Sequence, residues 1–181
     1  MSKKPKRTTR RINLDFDDKF GPISLTRLDR ALITIMLVFG LLVIVYTLIT
    51  QPSAPITLIL RALHFQLSRL GFVLALVMLG LAVYIGGVRK GDVTPYFRRG
   101  TYAVFGMMVF EALIGAALYF VIGVRPGQEV HLIYGAGSVL ALPFFVFVEV
   151  TAQKRPAMGS YVWGFALLTG IIVRSMGTGP L

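Results

Sequence analysis

The sequence predicts an all-α integral membrane protein: an up-down four-helix bundle with a fifth transmembrane helix. Three observations predict it. Apolar residues make up 55% of the 181 and are gathered into long runs, the basic residues collect in alternate connections, and two connections are short and carry proline. A hydrocarbon core of roughly 30 Å takes about 20 residues of helix at ~1.5 Å per residue. Runs of about that length occur near 31–50, 66–88, 101–124 and 131–150. A fifth, 157–173, is shorter and contains glycine, but Tyr161 and Trp163 suit the interfacial belt where amphipathic rings collect.

The first segment, 1–29, reads as a basic cytoplasmic arm. Gly21 and Pro22 break any helix there, and a short interfacial stretch is expected near Ile23 to Leu28. Asp15, Asp17 and Asp18 lack the glycine and later glutamate of a calcium loop, so they read as a solvated acidic patch. The first apolar run begins some thirty residues in and is not followed by a small-residue cleavage pattern, so the first helix is expected to stay in the mature protein.

The net charge of +11 raises the question of nucleic acid. Its distribution answers otherwise. Fifteen of nineteen Lys and Arg fall before the first span, between the second and third, or between the fourth and fifth, leaving Arg61, Arg69, Arg125 and Arg174 on the other face. Cytoplasmic loops accumulate such residues, so the expected topology is N-terminus in, C-terminus out, in a bacterial inner membrane. Membrane lipid is then the expected partner of the charge, not nucleic acid. The absence of cysteine excludes thiolate metal sites, thiol catalysis and c-type haem attachment.

The turns at 51–61, with Pro52 and Pro55, and at 123–130, with Pro126 and Gly127, join antiparallel neighbours. The fifth helix is then expected on the outside of a bundle of the first four, and 175–181 forms a short external tail. Glu149 and Arg174 read as boundary residues at span ends.

The chain has only two histidines, His64 and His131, and each is expected at the start of a helix, the second and the fourth. In an up-down bundle these helices are diagonal, so the two imidazoles face each other across the core. That arrangement suits bis-histidine ligation of a b-type haem by His64 and His131, whereas zinc needs more converging ligands. Gly71, seven residues after His64, and Gly135, four after His131, fall on their histidines' faces and leave room for a macrocycle. Val139, deeper in the fourth helix, is expected to tolerate enlargement. Arg61, Arg69 and Arg125 are placed to pair with propionates. The same two histidines also read as ordinary boundary residues. Glu111, an ionisable group inside the third span, reads either as a protonated acid bonded to a neighbouring helix or as a proton-linked group.

The stretch Glu111-Ala-Leu-Ile-Gly115, the turn that follows, and His131-Leu-Ile-Tyr-Gly135 resemble one half of a haem A synthase. His64 with Arg69-Leu70-Gly71 is similar to the second helix of that family. The resemblance covers about Arg61 to Val150 and implies haem coordination by His64 and His131. The family places a glutamate four residues before the first histidine of a pair, where this chain has Leu60, and it has two four-helix halves. The expectation is therefore an electron-transferring haem protein. A haem A synthase-like oxidoreductase and a cofactor-free structural or assembly subunit of a respiratory or photosynthetic complex are the alternatives, the latter with homo-oligomerisation as a further form of partnership.

Overall fold

In the computed structural model, which describes residues 27–51, 55–152 and 158–179, five helices account for most of the chain and no strand occurs among the described residues. They are α1 (Arg27–Thr50), α2 (Ile56–Val83, extended by a π-helical turn Tyr84–Val88), α3 (Pro95–Ala116, extended by a π-helical turn Ala117–Val121), α4 (Val130–Ala152) and α5 (Met158–Met176). The basic arm to residue 26, with its interfacial stretch to Thr26 and its Asp15, Asp17 and Asp18 patch, lies outside the described residues. Four helices are long and apolar enough to cross a bilayer: Ile33–Thr50, Ile56–Val88, Pro95–Val121 and Val130–Glu149. The chain is thus a helical membrane protein.

Local chemistry sets the helix ends. Pro55 precedes α2 with the φ of −66° that its ring imposes. Thr94 caps α3, its Oγ1 accepting from the Phe97 amide at 3.2 Å, and Pro95 takes the first helical position, where no amide is needed. Both π turns exit alike. The Gly91 amide donates to the Ile85 carbonyl and the Val124 amide to the Leu118 carbonyl, across residues of positive φ, Lys90 and Gly123.

Two helices begin earlier than the apolar runs do. α2 starts at Ile56 rather than near residue 66, because nothing between Pro55 and Val83 breaks a helix, and Arg61 and Arg69 sit on its exposed side, where long stems carry charge outward. His64 is consequently about two turns inside α2, not at its start. α3 likewise begins at Pro95, so Arg98 and Arg99 are helical rather than part of a loop.

The packing also departs from expectation. α2 touches α3, α3 touches α4, α4 touches α5, and α5 returns to α2, while α2 and α4 make no close backbone approach among the described residues. The ring of four is therefore α2 to α5. α5 does not lie outside: Tyr161, Phe165, Leu168 and Ile172, at helical spacing, are all buried. The helix that stands aside is α1. Of its span only Thr47 is buried, and it leans on α2 and α3 through Phe39 and Val43, against Leu63, Leu67, Ile114 and Leu118. α1 is apolar on every side, as suits a lipid-facing helix, whereas α5 buries one stripe of its residues and leaves Trp163, Leu167 and Val173 exposed on another side.

Close packing closes the ring. A Cβ at Gly164 would stand 3.1 Å from the Phe145 side chain, and one at Gly137 would stand 3.4 Å from Ile171, so glycine lets α4 and α5 approach. At the end of the bundle away from the histidines, Arg98 Nη2 lies 2.8 Å from Glu149 Oε1, and Tyr161 Oη donates to Glu149 Oε2 at 2.6 Å. Glu149, the last residue of its span, thus turns inward to clasp α3, α4 and α5, and Tyr161 is buried rather than facing the interfacial belt. Trp163, by contrast, is exposed.

Candidate haem site

α2 and α4 stay apart because α3 and α5 stand between them, and at the histidine end that separation opens a cleft of about 920 Å³. That volume lies within the range of small-molecule sites, about 300–1,000 Å³. Both His64 and His131 line it. Their ring centroids are 6.1 Å apart and their planes cross at 78°.

Each imidazole is anchored from behind by a backbone carbonyl of a neighbouring helix. His64 Nδ1 lies 3.2 Å from the backbone carbonyl oxygen of Glu111 and 3.2 Å from Glu111 Oε1. His131 Nδ1 lies 3.1 Å from the carbonyl of Ser175. A carbonyl has no proton to give, so the contacts to the Glu111 and Ser175 carbonyls call for the hydrogen on Nδ1, and in a neutral ring that leaves the Nε2 lone pair free. This is how metal-ligating histidines are usually fixed in tautomer and orientation.

The walls near the rings are made of small side chains. Gly135 lines the cleft, and a Cβ there would meet nothing within 4 Å, as a space-keeping position requires. A Cβ at Gly115 would strike His64 Cε1 at 2.9 Å. Glycine there is a condition for the His64 ring pose, a role that the spacing argument did not assign. Its signal was present: Gly115 lies four residues after Glu111, hence on one face of α3.

Other expected site residues fall elsewhere. Gly71 is absent from the cleft, and its missing Cβ is filled by Met108, whose methyl would be 2.5 Å away, and by Met107. It serves packing between α2 and α3. Arg69 lies over the Phe65 ring at 4.1 Å, on the exposed side of α2. Arg61 does line the cleft. Arg125 reaches its rim only through Tyr119, whose hydroxyl accepts from Nη1 and whose ring lies 4.7 Å from the guanidinium. Val139 also lines the cleft. Glu111 is buried directly behind His64 of the neighbouring helix.

The segment after Met176 is no free tail. The Thr178 carbonyl accepts from the Gln128 amide at 3.1 Å, and Ser175 and Gly179 line the cleft. Among the described residues no group of three or more His, Cys, Asp or Glu could hold a metal ion. Compared with family models, with curated proteins and with solved structures, the chain has no match.

Proposed function

We propose that the protein binds a b-type haem between His64 and His131 and acts in membrane electron transfer. The observation that carries this reading is the pair itself: two imidazoles from helices that do not touch, 6.1 Å apart, each held at Nδ1 by a carbonyl, at the head of a roomy cleft. Two nitrogen ligands ~2 Å on either side of a metal put their ring centroids roughly 6 Å apart. A haem held by these two imidazoles would supply one-electron exchange rather than binding of oxygen or substrate.

The chain's own residues would do the rest. His64 and His131 would hold the iron; Gly115 and Gly135 would leave room for the macrocycle; Arg61, in the cleft wall, could pair with a propionate. Glu111 holds His64. The resemblance to half of a haem A synthase agrees with this ligand pair, while Leu60, where that family carries an acid, speaks for electron transfer over haem oxidation. The orientation follows from the charge distribution: basic N-terminus cytoplasmic, cleft facing outward, in a bacterial plasma membrane. α5 serves as the fifth span; burial within the ring lets it be less apolar than the other four.

The reduced-minus-oxidised spectrum of the purified protein tests the reading. Sharp b-type bands are expected. A colourless preparation from haem-replete cells would sink it in favour of a cofactor-free subunit of a larger complex. Tags should place the N-terminus inside and Leu181 outside; both on one side would remove α5 from the spans.

A further inference from the structure

We infer that the C-terminal turn of α5, Ser175 to Gly179, is the positioning element of His131. It holds the ring with Nδ1 protonated and Nε2 presented to the cleft. Its redox consequence rests on the haem reading; its structural content does not.

His131 is only the second residue of α4. Helix ends fray, and among the described residues no α4 side chain hydrogen-bonds its ring. Among the described residues all its polar partners come from the end of α5 and the turn that follows it. The Ser175 carbonyl lies 3.1 Å from Nδ1, Ser175 Oγ 3.3 Å and Thr178 Oγ1 3.4 Å. The Thr178 hydroxyl is buried and gives its own proton to the carbonyl of Arg174 or of Ser175, at 3.2 and 3.1 Å, which leaves a lone pair for the ring. Every one of these groups can accept from Nδ1–H. None other than a hydroxyl could serve the opposite tautomer.

The turn is itself locked in place. The amides of Thr178 and Gly179 both donate to the Ser175 carbonyl at 3.1 Å, and the Gln128 amide donates to the Thr178 carbonyl. Gly127 makes that docking feasible, since a Cβ there would stand 2.9 Å from the Gly179 carbonyl oxygen. The arrangement mirrors His64, whose ring is held by Glu111 of α3. Each histidine is thus aimed by a neighbouring helix, not by its own.

Because the chain has only two histidines, ¹⁵N-histidine NMR reads the tautomer directly, with His64→Gln assigning the signals. Protein purified from haem-limited cells should show His131 as the single Nδ1–H tautomer. Thr178→Val and Gly127→Val should lose that purity and give a mixture. Thr178→Ser should restore it, and Thr169→Ala, which deletes a comparable bond to the Phe165 carbonyl elsewhere on α5, should leave it intact. In haem-loaded protein the same two valine variants should shift the ferric low-spin g values without loss of haem. An Nε2–H tautomer in the wild type, or two valine variants indistinguishable from it, would overturn the inference. Should the protein hold no haem, the electron-transfer reading falls and the tautomer still decides this one.

Discussion

The two ends of the bundle solve opposite problems. At the end where Arg98, Glu149 and Tyr161 meet, polar groups are spent on one another, and aromatic rings fill the gaps: Phe97 lies edge-on to both Tyr161 and Phe165, at 5.3 and 6.1 Å. At the other end the same ring of helices is left unfilled, and each histidine is tied on one side only, so that its second nitrogen is spare. A membrane bundle with no role beyond packing would be expected to resemble its first end throughout. Polar side chains inside a bilayer are costly unless used, and the open end keeps two imidazoles and a carboxyl around a void.

Changes at the open end should therefore erase the cofactor and spare the fold, and changes at the closed end should do the reverse. The largest effect is expected from His64→Ala or His131→Ala, each of which should abolish the low-spin spectrum alone; unchanged spectra in both would end the haem reading. Gly135→Leu should come next, cutting haem content severely while thermal unfolding in detergent stays near wild type, because its side chain enters open space. Arg98→Ala should do the converse: it leaves Glu149 buried without its cation and should cost up to about 3 kcal/mol, discounted because the guanidinium is 27% exposed. Pairing Arg98→Ala with Glu149→Gln should recover part of that loss. Glu111→Gln should matter less, since an amide oxygen can still accept from His64, with Glu111→Leu losing more haem than the amide variant does. Arg69→Ala should be the smallest, within about 0.5 kcal/mol and with full haem content, as it touches only the Phe65 face.

What could be read from the sequence was whatever follows from periodicity and charge. Runs of apolar residues marked four helices long and apolar enough to cross a bilayer, and the two histidine helices stay apart even though the ring runs from α2 to α5. That survival has a physical reason: removing α1 from the ring and adding α5 leaves α2 and α4 still two places apart. The start of the second helix was placed ten residues late because the apolar run, not the break at Pro55, was taken to mark it, whereas the helix runs on from Ile56 through Arg61 and Arg69. Gly71 was misplaced because sharing a helix face with His64 does not fix which neighbour that face meets two turns on. The carbonyls behind the two imidazoles, and Gly115 against His64, were out of reach because they depend on how far α3 and α5 lean toward their neighbours, which no spacing encodes.

The π turn at Ala117–Val121 bears on how this chain can change over time. Its closing bond, from the Ile122 amide to the Ala117 carbonyl at 3.1 Å, spans one residue more than an ordinary helical turn. The extra residue lies between Gly115, which sets the His64 ring, and Tyr119 with its Arg125 partner at the rim. Loss of one residue here would let the helix relax to its ordinary pitch, keeping everything before it in register and swinging only the rim by about a quarter turn. Length variation among descendants of this sequence should therefore be tolerated at 117–121 and re-aim the mouth of the cleft, whereas the same deletion between Glu111 and Gly115 would separate the acid from the small residue that makes room for the ring it holds.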